Sequence, residues 1–163
     1  KKMTIEQHVR LITMLSEDRR LRFVLLGGPE DTVRNAEIVT RLEVLGLDDR
    51  LVSTPTTEGL RRGICYENLA DIVITGDSFG MHLAIALRKH VLAWFGLSCW
   101  EEIDLYDRGR KFLPDGLACA PCWKRSCPYN LECIDMIDLE AMAGAVRAYA
   151  DAHAAVQNQE ETE

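Results

Sequence analysis

Asp71-Ile72-Val73-Ile74-Thr75-Gly76-Asp77 is the stretch that decides the fold, and Ser78-Phe79-Gly80-Met81-His82 follows it directly. The first segment is a continuous apolar run rich in β-branched residues, which predicts a strand covered on both faces. A helix is predicted from about Ser78 to Lys89; it is apolar almost all round, so we expect it to be buried. A buried strand that turns straight into a helix is typical of a parallel α/β sheet.

The same alternation of strands and helices runs along the rest of the chain. Further strands are predicted at residues 22–26, 51–52 and 91–95, each closed by Gly or Pro. Four further helices are predicted. The first begins at a capping box formed by Thr4 and Gln7, and the second begins at Glu30 or Asp31 and ends at Gly46. The other two lie over 57–68 and over about 138–154. This order predicts an α/β fold whose parallel sheet carries helices on both faces.

Length and composition limit the number of domains and the kinds of ligand that the protein can bind. The 163 residues fit one domain, expected over 1–156 with an irregular cysteine-rich segment at 97–137 and a disordered polar tail at 157–163. The net charge of -7 argues against nucleic-acid binding, which needs a basic surface.

The N-terminal residues bear on location. No run of about 18 apolar residues is present and the first residues turn polar too soon for a signal peptide, so no membrane span and a cytoplasmic location are predicted. The chain starts at Lys1 without an initiator Met and enters a helical pattern at once, so an N-terminal part that precedes it is expected.

Ligands of parallel α/β sheets bind beyond the carboxyl ends of the strands. The turn after the strand at 71–77 offers the unpaired N–H groups of a helix start, which bind anions. Ser78 can add a hydroxyl donor, Gly80 lets a ligand approach the backbone, Asp77 can accept hydrogen bonds and His82 can reach the same space. A plain helix cap with a structural histidine explains the same residues about equally well.

The turn at Gly27-Gly28-Pro29-Glu30 also follows a strand. Gly28 suits a tight turn, and Glu30 can accept hydrogen bonds from ribose hydroxyls. The alternative is a plain turn with Glu30 placed favourably at a helix start. The turn is not a P-loop, because the Gly-Lys-Ser/Thr ending is missing.

Four of the six cysteines lie close together, at Cys119, Cys122, Cys127 and Cys133. Four thiolates at short separations suit a structural zinc ion, and an iron–sulfur cluster is a second option. The spacing is not that of a zinc ribbon, so structural thiols or a disulfide that pins the loop is the alternative.

Taken together these motifs resemble glycosyltransferase family 9, the lipopolysaccharide heptosyltransferases and their relatives. The resemblance rests on Thr75-Gly76-Asp77-Ser78 followed by His82-Leu83-Ala84, on Phe95-Gly96, on Gly27-Gly28-Pro29-Glu30 and on the cysteine segment. Phe79 stands where the family has glycine. Lys1 matches the lysine of a Lys-x-Trp element, which makes it a candidate phosphate contact.

The resemblance implies a Rossmann-like domain, the C-terminal, donor-binding half of a GT-B enzyme. It implies that the helix N–H groups at 78–80 and the Ser78 hydroxyl hold the diphosphate of a donor such as ADP-heptose. Asp77 would orient the turn or the sugar, His82 would support the phosphate side and Glu30 would take the ribose. The other residues implied in the donor site are Gly28, Phe79, Gly80 and Lys1, with Lys1 at a phosphate. The acceptor, a lipopolysaccharide or other cell-envelope glycan or a lipid-linked one, would bind a missing N-terminal domain that also carries the catalytic carboxylate.

Because the resemblance assigns the donor to this domain and the acceptor to another, it also has implications for activity. This chain alone would contain no catalytic residue, would transfer nothing and would need no cofactor, and the whole enzyme could lie at the inner membrane face. The alternatives are a non-catalytic nucleotide-binding or metal-clamped module of the same fold, or another GT-B enzyme such as an epimerase or a protein glycosyltransferase.

Overall fold

The computed structural model describes residues 2–47, 49–124 and 126–160, with residues 156–160 described by their backbone alone. The elements in chain order are α1 Ile5–Ser16, β1 Phe23–Leu25, α2 Thr32–Leu42, β2 Leu51–Ser53, α3 Leu60–Glu67, β3 Ile72–Gly76, α4 Phe79–Ala86, β4 His90–Trp94, β5 Gly109–Phe112, α5 Glu132–Asp135 and α6 Leu139–Glu160. The predicted alternation of strands and helices is therefore confirmed.

The strands pair in parallel, as the sequence predicts. β1 pairs with β2, and β3, β4 and β5 form a second ladder in that order. Ile72 lies opposite His90 and Gly76 opposite Trp94. Because parallel neighbours end at the same edge, the turns that follow β3 and β4 lie side by side.

Helices cover both faces of the second ladder, and β4 shows this most clearly. Leu92 and Trp94 pack into a cluster formed with α1, α5 and α6. Val91 and Ala93 point the other way, into a cluster with Met81 of α4. A strand buried on both sides explains why the run of 91–95 is apolar without alternation.

The N-terminal helix begins where its local sequence predicts. Thr4 caps α1 through a reciprocal capping box: the Gln7 N–H donates to Thr4 Oγ1 over 3.1 Å, and the Thr4 N–H donates to Gln7 Oε1 over 2.8 Å. Ile12 of α1 packs with Leu25, Ile38 and other residues in a third cluster. This cluster joins α1 and α2 to β1.

The prediction that the helix after β3 is buried is wrong for its outer side. Met81 and Ala84 are buried, but His82 and Ala86 are exposed. One side of α4 packs against β3 and β4, and the side that carries His82 and Ala86 is exposed.

The segment 97–137 is more regular than predicted. It contains β5, which pairs with β4, and the short helix α5. The sequence did not predict β5, because this strand begins with Gly109 and continues with the charged residues Arg110 and Lys111. In the structure Gly109 lies against the backbone of Val91. A charged edge strand lacks the apolar run by which β3 was found.

The C-terminal helix also departs from expectation. α6 continues to Glu160, so residues 157–160 are helical rather than part of a disordered tail. Residues 161–163 lie outside the described chain.

Candidate functional site

The turn between β3 and α4 is fixed by a close contact at its first residue. A Cβ on Gly76 would lie 2.9 Å from Cε2 of the Trp94 indole, so no larger residue fits there without a shift. The chain then leaves the strand at Asp77 and enters α4 at Phe79. Packing thus places Asp77 and Ser78 at the carboxyl edge of the sheet.

Ser78 is the N-cap of α4, as one reading of the sequence predicted. Its backbone is extended, and its Oγ accepts a hydrogen bond of 3.4 Å from the Met81 N–H. A second hydrogen bond of 3.1 Å joins Ser78 Oγ to Thr75 Oγ1. The hydroxyl is therefore engaged by the protein, and the N–H groups of the first turn remain the freer anion donors.

Asp77 and His82 face each other across that first turn. Asp77 Oδ1 lies 3.8 Å from His82 Nε2, and the side chains are 29% and 59% exposed. The two form an ion pair whenever the imidazole is protonated. Both side chains are accessible to solvent at the start of the helix.

Phe79 and Gly80 form the first residues of α4. Phe79 is 62% exposed, an unusual degree for an aromatic side chain. A Cβ on Gly80 would meet only Ser78 Oγ within 4 Å, at 3.6 Å. The space beside Gly80 is therefore open to a ligand.

A crevice beside the turn brings in residues that sequence reasoning missed. It is lined by Asp77 together with Trp94, Ser98 and Ile134, among others. Trp94 and Ser98 come from the end of β4 and the loop after it, and Ile134 comes from α5. The rule that parallel neighbours end at one edge could have placed the residues near 95, but no local signal pointed to Ile134.

The turn after β1 is organised by an acidic pair. The Gly28 N–H donates to Asp31 Oδ2 over 3.2 Å, and the carboxylate of Glu30 lies over Gly28. Lys2 Nζ contacts Asp31 and lies 3.9 Å from Glu30 Oε1. Glu30 is 72% exposed, so its carboxylate is accessible to a ligand.

In the described part of the chain, the two turns are not linked by a side-chain hydrogen bond or an ion pair. No hydrogen bond or ion pair joins Glu30 to the Asp77–His82 pair within the described residues. The proposed phosphate contact Lys1 lies outside the described chain. Its neighbour Lys2 supplies a cation at the β1 turn instead, a role that spacing alone did not assign.

The four clustered cysteines line one small pocket next to Gly96. They do not form a metal site as placed: within residues 2–47, 49–124 and 126–160 no three or more His, Cys, Asp or Glu side chains are arranged to hold a metal ion. Cys119 and Cys127 are free thiols of intermediate exposure. The zinc site therefore stays a prediction that this arrangement does not support.

Comparison with known proteins adds one finding. The sequence matches the model of glycosyltransferase family 9 (heptosyltransferase) over residues 1–132. No curated protein and no solved structure matches the chain. In the described part of the chain, no helix combines the length and apolarity needed to cross a membrane.

Proposed function

Because the chain belongs to glycosyltransferase family 9, we propose that it is the donor-binding domain of an enzyme that transfers a sugar from a nucleotide-diphosphate donor. The sugar in this proposal is a heptose and the donor resembles ADP-heptose. The acceptor is a lipopolysaccharide or another cell-envelope glycan, held by a second, acceptor-binding domain. The observation that carries the proposal is the open, capped start of α4 beside the Asp77 crevice.

The diphosphate lies at the start of α4 in this proposal. The N–H groups of Phe79 and Gly80 belong to the first turn, whose N–H groups lack partners within the helix. Together with the helix dipole they favour a doubly anionic leaving group. The space beside Gly80 admits its oxygens to within contact of the backbone.

His82 serves the phosphate side and Asp77 serves the sugar side. An imidazole next to a carboxylate can donate a hydrogen bond to a phosphate oxygen. A carboxylate repels a phosphate but accepts hydrogen bonds from hydroxyl groups, so Asp77 orients His82 and binds the sugar in the crevice. Ser78 keeps the turn in shape and reaches the diphosphate only if it releases Thr75.

Glu30 and Lys2 serve the nucleoside side. The exposed carboxylate of Glu30 accepts hydrogen bonds from the ribose hydroxyls, and Gly28 lets the ligand approach the turn. Lys2 holds Asp31 and adds positive charge close to Glu30. This charge partly offsets the repulsion between two carboxylates and an anionic donor.

The chemistry of these groups is positioning and electrostatic stabilisation of the departing diphosphate. The helix start supplies the positive potential, so the proposal assigns no cofactor to the transfer step. The general base lies in the acceptor-binding domain, and this chain alone binds nucleotide weakly and transfers nothing. The proposal places the whole enzyme in the cytoplasm, at the inner face of the membrane.

Calorimetry with ADP, UDP and GDP tests the proposal. ADP is expected to bind the wild-type chain, and Asp77→Ala is expected to weaken binding about tenfold, because His82 loses the carboxylate that orients it and with it one hydrogen bond to a phosphate oxygen. Asp71→Ala is the matched control because Asp71 is an exposed aspartate at the opposite end of the same strand. Equal binding heats for wild type and Asp77→Ala would show that Asp77 does not belong to the donor site.

A further inference from the structure

Two pockets meet at the end of β4. One is the crevice that contains Asp77, and the other is the pocket lined by the four clustered cysteines. Gly96 lines both. Cys133 lines the cysteine pocket and its neighbour Ile134 lines the crevice. The cysteine pocket therefore lies directly behind a wall of the candidate donor site.

Two contacts tie the cysteine segment to that wall. Cys133 is buried, and its Sγ is so close to Gly96 that a Cβ there would lie 2.8 Å from it. The Trp123 N–H donates a hydrogen bond of 2.8 Å to the Leu97 carbonyl. Leu97 also lines the crevice. These two contacts connect the segment directly to the loop at 95–98.

The segment carries thiols that a small reagent can reach. Cys119 and Cys127 are free and partly exposed, line the same pocket, and flank Trp123 in the sequence. The described residues hold no arrangement of three or more metal-ligating side chains. The chemistry available to the pocket is therefore that of neighbouring thiols, which exchange with disulfides.

We propose that Cys119 and Cys127 form a thiol modification site that a low-molecular-weight disulfide converts to an internal disulfide, with a change of shape in the crevice wall. One cysteine thiolate attacks the reagent, which forms a mixed disulfide and releases one small thiolate. The second cysteine thiolate attacks the protein sulfur of that mixed disulfide and releases the other. Two protein thiols are oxidised, one small disulfide is reduced to two thiols, and the cysteine protons pass to the released thiolates.

The bridge acts on the crevice through Trp123. A disulfide holds its two Cα atoms about 4.4–6.8 Å apart, so it fixes the ends of the loop in which Trp123 lies. The Trp123 N–H is bonded to Leu97, so the loop at 95–98 shifts with it. The effect on donor binding rests on the proposed function, whereas the bridge and the shift of the loop do not.

The first experiment maps the bridge. The full chain, reduced and then incubated with oxidised glutathione, is expected to lose two hydrogens at Cys119 and Cys127 and to retain no glutathione on either residue, with peptide mapping that links the two; glutathione on Cys65 or Cys99, which lie outside the proposed pair, is mapped separately. Cys119→Ser is expected to stop at a glutathione adduct. Cys65→Ser, which removes an exposed thiol on α3, is expected to behave as wild type.

Three results would overturn the assignment. The first is glutathione that stays attached to Cys119 or Cys127 of the wild type, and the second is a disulfide that joins other cysteines. The third is stoichiometric zinc in protein purified without chelator, if that zinc prevents the thiols from reacting with glutathione. Cys127→Ser repeats the test from the other side, so a misfolded Cys119→Ser variant does not leave the outcome open.

The second experiment measures how the bridge changes the mobility of the loop at 95–98, which forms part of the crevice wall. Hydrogen exchange in the peptide that spans 95–98 is expected to change at least twofold in rate on oxidation of wild type, and not in Cys119→Ser. Unchanged exchange in fully bridged protein would overturn the coupling. ADP affinity of the bridged chain is expected to fall at least threefold; reduced protein that does not bind ADP would count against the proposed function alone.

Discussion

The Trp94 indole lies against the Cα of Gly76, its partner in the register of β3 and β4. Trp94 is only 8% exposed, and it forms part of the crevice that contains Asp77. A rigid, buried ring cannot move aside as a flexible side chain can. The glycine that ends β3 therefore sets the position of the crevice wall.

Gly76→Ala is expected to lower the free energy of unfolding by about 1–3 kcal/mol, the usual cost of forcing a methyl group into a packed site. The reason is the 2.9 Å approach of the new Cβ to Trp94 Cε2. Urea denaturation of wild type and variant measures the difference. ADP affinity is expected to fall as well, because the indole must shift within the crevice.

Gly63→Ala is the control for this substitution. Gly63 lies in α3, and a Cβ there would meet nothing within 4 Å. Alanine is a better helix former than glycine, so this variant is expected to gain up to about 1 kcal/mol. Equal stability of the two variants would show that the indole contact does not limit the fold.

Local sequence was enough to predict the elements around the site. The β-branched run Ile72-Val73-Ile74, the Thr4 capping box and the Ser78 cap each depend on a few neighbouring residues, and the structure confirms all three. The role of these residues in ligand binding stays a prediction, because a cap and an anion site have the same sequence pattern.

The crevice could not be predicted in the same way. Trp94, Ser98 and Ile134 meet Asp77 only because β3 pairs with β4 and because α5 docks on the loop that follows. Such contacts depend on tertiary packing, about which helical or strand periodicity carries no information. The contact of Lys2 with Asp31 was missed for a similar reason, since it joins residues that lie 29 positions apart in the sequence.

Gly80→Ala separates binding from folding. A Cβ at this position meets only Ser78 Oγ at an ordinary contact distance, so stability is expected to stay equal or to rise by up to about 1 kcal/mol. The new methyl group occupies the space through which the diphosphate approaches, so ADP affinity is expected to fall about tenfold. Calorimetry and urea denaturation on the same preparation measure both quantities. A variant that binds ADP as well as wild type would place the diphosphate elsewhere.

Glu30→Ala tests the ribose contact. Wild type is expected to prefer ADP to 2′,3′-dideoxy-ADP by about tenfold, because the exposed carboxylate accepts hydrogen bonds from the ribose hydroxyls. The variant is expected to bind both nucleotides alike. Glu43→Ala removes an exposed glutamate from the 3-10 turn after α2 and should keep the preference. A preference that survives in Glu30→Ala would assign the ribose to another group.

The buried carboxyl group of Glu67 is expected to make the stability of the chain depend on pH. This effect does not involve the donor site. The residue is 5% exposed, its Oε1 has no hydrogen-bond partner within the described chain, and burial raises the pKa of its carboxyl to about 7. The unfolded chain ionises near the ordinary value, so the folded state binds the extra proton between about pH 4.5 and pH 7. The contribution of Glu67 to the free energy of unfolding therefore falls as the pH rises through this window, by about 3 kcal/mol, and is level above it.

Glu67→Gln is expected to abolish that dependence, because the amide does not ionise. Urea denaturation at about pH 5 and about pH 8 should show a change in the free energy of unfolding that is more negative with rising pH in wild type than in Glu67→Gln. Burial lowers the pKa of His8 and of His90, so Glu67→Gln is expected to gain stability over the same range. Glu43→Gln, at an exposed carboxylate, should retain the wild-type slope. A wild-type slope in Glu67→Gln would mean that another group binds the proton, and that the buried carboxylate of Glu67 is solvated in the folded chain.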